Sequence, residues 1–111
     1  MRRPTRLILT ALASRPMHGY GILTAVKDLS AGSVELAVGT LYGALDRLES
    51  QGVIVQDREE IENGRLRRYY RLTDHGHEIL ATEVAVLEAD ARAARAVLAF
   101  RSAPGTVGGS T

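Results

Sequence analysis

A chain of 111 residues has room for one domain with a modest core, and too little for a core plus an elaborate substrate cleft. Without cysteine it has no disulfide framework, no thiolate nucleophile and no cysteine-rich zinc site. The formal net charge of +1 hides a gradient, because residues 1–72 hold 11 Lys/Arg against 8 Asp/Glu while residues 73–111 hold 3 against 5. The basic excess gathers in Arg2, Arg3 and Arg6 and in Arg65, Arg67, Arg68 and Arg71, where it suits phosphate neutralisation. No apolar run reaches the roughly 20 residues of a membrane span, and Met1-Arg2-Arg3-Pro4 is not followed by an apolar secretory segment. A soluble cytoplasmic protein is expected, with no membrane partner.

The first predicted helix covers 5–14, where Leu7, Ile8, Ala11 and Leu12 form a compact apolar face and Pro16 closes the segment. A second opens at His18-Gly19-Tyr20-Gly21 and carries Ile22, Val26 and Leu29 at i, i+4 and i+7, with Leu23 beside them, before stopping near 30–33. Two glycines at a helix start cost stability. Their presence predicts close backbone approach, with Tyr20 displayed between them. After the loop Ala31-Gly32-Ser33, the triplet Val34-Glu35-Leu36 reads as a very short strand.

The central helix begins at Val38. Val38, Leu41, Leu45 and Leu48 make one apolar stripe at the 3.6-residue period, while Thr40, Tyr42, Gly43, Asp46 and Arg47 occupy a polar face that suits a groove. Gly52 then stands where a left-handed residue closes a helix. Two helices joined by a brief connection fit a helix-turn-helix. Two β-prone runs follow, over 53–58 and 66–72, separated by a polar stretch with Asn63-Gly64, a pair that tolerates positive φ and marks a hairpin turn. Alternation in the second run puts Leu66, Arg68, Tyr70 and Leu72 on one side and Arg65, Arg67, Tyr69 and Arg71 on the other. Tyr70 and Leu72 are expected in the core, with Arg68 projecting past its edge. A basic hairpin directly after a groove-fitting helix is the layout of a winged helix.

Thr73 or Asp74 caps the last helix, and Asp74 and Glu78 complement its dipole. Leu80, Val84, Leu87, Ala91, Ala94 and Leu98 step by 4, 3, 4, 3, 4, a heptad seam. A helix of roughly 40 Å, at 1.5 Å per residue, cannot bury such a stripe on so small a domain. The seam is therefore expected to pair with a second copy of the chain. The fold class is mostly α with a small β-hairpin: a winged helix-turn-helix over 1–73, a C-terminal dimerisation helix over 74–101 and a disordered tail over 102–111.

Three motifs in order carry a family resemblance: His18-Gly19-Tyr20-Gly21-Ile22; then Gly39-Thr40-Leu41-Tyr42-Gly43-Ala44-Leu45-Asp46-Arg47-Leu48-Glu49 with Gly52-Val53-Ile54; then Gly64-Arg65 through Arg68-Tyr69-Tyr70-Arg71-Leu72-Thr73 and Gly76. Together they resemble the PadR family of bacterial transcriptional regulators, and with one long helix after the wing the chain is similar to the short-tailed members. The resemblance implies a winged helix-turn-helix that binds double-stranded DNA, a dimerising last helix, and repression usually relieved by a small-molecule inducer or other signal. It matches the family's DNA-contacting tyrosine of the recognition helix to Tyr42, its helix-two tyrosine to Tyr20, and the basic residues of its wing to Arg65, Arg67 and Arg68. From the residues themselves, Thr40 joins the contact face and Arg47 is the obvious guanine reader. An inducer cavity between the final helices of two copies and helix one would be lined by residues such as Leu7, Leu87 and Phe100. With no tryptophan, the aromatic drug sandwich of some short members is not expected.

His18, His75 and His77 with Asp74 and Glu78 invite a metal reading. His75 and His77, two apart, point to different sides of a helix, so no metal site is expected. No cofactor is implied either. No Ser-His-Asp set, phosphate loop or paired carboxylates in a recognisable setting appears, so the chain is not expected to be an enzyme. Two readings stand: a homodimeric DNA-binding repressor on a pseudo-palindromic operator, and a winged-helix protein-interaction module that does not read DNA. The basic wing discriminates, since a pure interaction domain has no reason to place Arg65, Arg67, Arg68 and Arg71 beside a glycine-bearing helix.

Overall fold

The computed structural model describes residues 1–102. Among them the order is α1 (Arg3–Ser14), β1 (Met17–His18), α2 (Gly19–Leu29), α3 (Val38–Ser50), β2 (Ile54–Glu62), β3 (Arg65–Leu72) and α4 (Asp74–Ser102). The chain divides into two compact units after Ala81. The first holds α1 to β3 with the opening turns of α4. The expected tail over 102–111 lies, from residue 103, outside the described residues.

The core of the first unit is built from one face of each element. Ile8, Leu9, Ala11 and Leu12 of α1, Ile22 and Val26 of α2, and Leu41, Ala44, Leu45 and Leu48 of α3 close on Val53, Ile54, Tyr70 and Leu72. The α3 stripe thus holds at three of its four expected positions. Val38 is 59% exposed, while Ala44, one turn beyond Leu41, is buried. Val38 is the first helical residue, one turn short of the packed segment. Leu29, 51% exposed at the last turn of α2, departs in the same way.

The helix ends follow their local chemistry. Pro4 sits in the first turn of α1, where its missing N–H costs no hydrogen bond. In α2 the cap is His18, whose Nδ1 accepts the Gly21 N–H at 3.1 Å. Gly52 closes α3 with φ +72°, and the Val53 N–H returns to the Leu48 carbonyl at 3.0 Å. Thr73 caps α4 through its Oγ1, which accepts the Gly76 N–H at 3.0 Å.

The sheet has three strands among the described residues, ordered β1-β3-β2 and antiparallel throughout. Asn63 and Gly64 turn the hairpin with φ of 52° and 76°. Its strands are longer than their apolar runs, since charged residues outside the core continue the ladder to Glu62 and Arg65. The expected strand over 34–36 is irregular; the short strand is instead Met17–His18, which pairs with Tyr70 and Tyr69. Val34 and Leu36 rest partly buried on the core, so side-chain packing holds that segment without a ladder. In its place Ser30 bonds the loop, its Oγ accepting the Val34 N–H at 3.0 Å.

Candidate nucleic-acid interface

The N-terminus of α2 brings α3 and the wing together. Gly19 is buried, and a Cβ there would stand 2.8 Å from Tyr42 Cζ and against the Tyr42 hydroxyl. Only glycine allows the ring of Tyr42 to lie on the α2 backbone, the close approach expected of the glycine pair. Gly21 is different, with ordinary contacts to His18. Tyr42 stays 44% exposed, so its ring is held while its edge faces solvent.

Tyr20, next to Gly19, is 66% exposed. The Arg67 guanidinium of β3 lies 6.0 Å from its ring centroid, within cation–π range. The first two residues of α2 thus touch both neighbours, Gly19 meeting Tyr42 of α3 and Tyr20 meeting Arg67 of the wing. Arg67 Nε is buried without a hydrogen-bond partner among the described residues. Arg65, beyond it, is exposed.

Arg68 lies on the other side of β3. It is exposed and pairs with Glu59 at 3.5 Å. Its pKa is raised, first by the Tyr70 hydroxyl beside it and then by Glu59. Burial pushes the Tyr70 hydroxyl up, while Arg68 pulls it the other way. Both groups keep their usual neutral-pH forms, Arg68 charged and Tyr70 neutral. Arg58 is committed elsewhere, to Asp57 at 2.8 Å and Glu60 at 3.0 Å, with its guanidinium 4.0 Å above the Tyr69 ring.

Thr40 and Arg47 occupy a different sector of α3. Arg47 follows Tyr42 by five residues, about 140° around a helix of 3.6 residues per turn, and shares a stripe with Thr40 and Gly43. That stripe borders a cleft of about 370 Å³ that Arg2 and, from α1, Pro4 and Thr5 also line. The structure thus groups Tyr20, Tyr42 and Arg67 on one side and Thr40, Arg47 and Arg2 on the other. Both sides are open along α3, since a Cβ at Gly39 or Gly43 would meet nothing within 4 Å among the described residues. The sequence signal for Arg2 was the basic N-terminus. The carboxylates of β2 that face the wing arginines had no signal before the strand register was known.

No group of three or more metal-binding side chains forms among the described residues. Nor is any of their helices long and apolar enough to cross a membrane. In the second unit Val84, Val86, Leu87, Val97, Leu98 and Phe100 are exposed along α4. Leu80, the first seam position, lies in the first unit and is half-buried against its core.

A three-helix core with a helix-turn-helix and a two-stranded wing defines a winged helix-turn-helix protein. The model of the transcriptional regulator PadR-like family matches residues 8–82. The chain belongs to the PadR-like family of transcriptional regulators, whose members are regulators and not enzymes. It is 35% identical over 85 residues to the transcriptional regulator Rv3488 of Mycobacterium tuberculosis, covering 77% of this chain and 76% of that protein. Identity rises to 43% over 77 residues, 69% of this chain, with an uncharacterised 37.1 kDa protein of a Streptomyces fradiae transposon, of which this chain spans 21%. Among solved structures, a PadR family transcription regulator from Clostridium difficile superposes with a TM-score of 0.72 at 27% identity, covering 87% of this chain and 99% of that one. Bacillus subtilis PadR, crystallised in complex with operator DNA, gives a TM-score of 0.66 at 25% identity, covering 75% of this chain and 47% of that one.

Proposed function

We propose that the chain is a cytoplasmic, homodimeric repressor that reads a pseudo-palindromic operator in double-stranded DNA. One observation carries the reading: the start of α2 joins α3 to the wing, Gly19 meeting Tyr42 and Tyr20 meeting Arg67. Such a surface suits a helix in the major groove with a hairpin on the neighbouring backbone. The likeness to Bacillus subtilis PadR crystallised with operator DNA supports the duplex as partner. Exposed apolar residues along α4 support pairing through Val84, Leu87, Ala91, Ala94 and Leu98, with Leu80 at the inner end. Release by a small-molecule inducer rests on the family likeness.

Recovery of bound fragments from sheared genomic DNA, followed by footprinting, tests the reading. An inverted repeat should be protected, its half-sites a helical turn of roughly 34–36 Å, or a multiple, apart. Equal retention of every fragment would reject sequence-specific binding. On the recovered fragment, Tyr42→Phe keeps the ring carbons against Gly19 and removes the hydroxyl that lies nearest it. It should leave the melting temperature nearly unchanged and weaken binding by roughly 1.5–3 kcal/mol, the worth of a hydrogen bond to a charged acceptor. Wild-type affinity in Tyr42→Phe would remove Tyr42 from the contact.

A further inference from the structure

The two strands of the wing carry opposite charges. β2 holds Asp57, Glu59, Glu60 and Glu62, with Arg58 among them, and β3 holds Arg65, Arg67, Arg68 and Arg71. Register sets Glu62 opposite Arg65, Glu60 opposite Arg67 and Glu59 opposite Arg68. The carboxylates are nevertheless shared out unevenly. Glu62 accepts the Tyr69 hydroxyl at 2.7 Å and Glu60 accepts Arg58 Nε at 3.0 Å. That leaves Arg65 and Arg67 without an ion pair among the described residues. Glu59 and Asp57 instead hold Arg68 at 3.5 Å and Arg71 at 3.4 Å.

A carboxylate and a phosphate offer a guanidinium the same kind of charged oxygen acceptors. We propose that Glu59 and Asp57 are built-in competitors of DNA phosphate for Arg68 and Arg71, holding down the affinity of the wing for DNA of any sequence. The inference rests on the DNA-binding reading above. Arg65 and Arg67 take phosphate first, and Arg68 and Arg71 follow only by leaving their carboxylates. The exchange is feasible because Arg68 and Glu59 remain about half exposed, at 51% and 45% of their side chains. A pair in that setting is weak and opens readily. Affinity for random DNA grows with the number of phosphates neutralised, so two withheld arginines lower it. A regulator that must find few sites among a great excess of others gains from that restraint.

Glu59→Gln tests the proposal, since it keeps size and hydrogen bonding on an exposed strand and removes the charge. Binding of a short random-sequence duplex is followed by fluorescence anisotropy at several potassium chloride concentrations. Affinity should rise about two- to fivefold, and the slope of log K against log salt should steepen by roughly 0.9, one added phosphate contact. In an Arg68→Ala background that steepening should vanish, because the arginine to be released is gone. If wild type binds the duplex and Glu59→Gln matches it in affinity and slope, the competition is overturned and the DNA-binding reading stands. Steepening that persists without Arg68 overturns it too, because the carboxylate would then act only as bulk charge. A wild-type protein that binds no duplex at the lowest salt overturns both.

Discussion

Gly76→Ala should lower the melting temperature by about 10–20 °C, following from a loss of about 2–3 kcal/mol at roughly 4–8 °C per kcal/mol in a domain of this size. A Cβ at Gly76 would be driven into the Val53 carbonyl oxygen and would stand 3.2 Å from Val53 C and Leu72 Cδ2. The first obstacle is backbone, so no rotamer change relieves it. The same carbonyl accepts the Thr73 N–H at 3.1 Å, while the Thr73 hydroxyl donates to the neighbouring Gly52 carbonyl at 2.6 Å. Moving α4 away to admit the methyl strains both bonds, each worth about 1 kcal/mol. Overpacking adds about 1–3 kcal/mol, and the better helix propensity of alanine returns up to about 1. Gly43→Ala is the matched control. Its new methyl meets nothing within 4 Å among the described residues, so the same substitution should stabilise by roughly 1 kcal/mol. Thermal melts of both variants decide, and a Gly76→Ala protein that melts like wild type would mean that α4 is not locked to Val53.

Leu87→Glu should convert the proposed dimer to monomer in sedimentation velocity. Leu87 stands at the middle of the seam and is 39% exposed in the single chain. Two-fold pairing would set one copy of the new carboxylate near the other, desolvated in an apolar contact, and a buried unpaired charge costs several kcal/mol. Operator affinity should fall with the dimer by about 10²–10⁴, the usual gain from linking two binding modules. Circular dichroism should be preserved, because an exposed helical position tolerates glutamate. A dimer of unchanged stability would place the interface elsewhere, with the exposed Val86, Val97 and Phe100 as the alternative stripe on the same helix.

What could be read from the sequence was whatever repeats with a period or sits at a chemically marked turn. Leu41, Leu45 and Leu48 announced α3, Asn63-Gly64 the hairpin, and Thr73-Asp74 the capped start of α4, where Thr73 is the cap. The period alone does not say where packing begins, so it carried Val38 into the core and passed over Leu9 and Ala44. A strand of two residues has no period at all. Met17 and His18 become a strand only through Tyr70 and Tyr69, more than fifty residues away. The candidate site divides in the same way. Its tyrosines and arginines were visible as residue types; Tyr42 lies against Gly19, and Arg67 lies 6.0 Å from the ring of the next residue, Tyr20. The pairing of Arg68 and Arg71 with carboxylates depends on strand register and a bulge between Gln56 and Arg58, neither of which composition reveals. The burial of Gly76 depends on where Val53 falls when α4 docks, which no local pattern encodes.

In the proposed function, the surface formed by α3, the start of α2 and the wing holds a DNA backbone. The most direct measurement of that contact is the salt dependence of duplex binding for wild type, Arg65→Ala and Arg67→Ala, the two wing arginines without an ion pair among the described residues. Each substitution should weaken binding to operator and random duplex by similar factors and reduce the slope of log K against log salt by roughly 0.9. Wild-type affinity and slope in both variants would contradict the account, because the wing would then lie off the DNA.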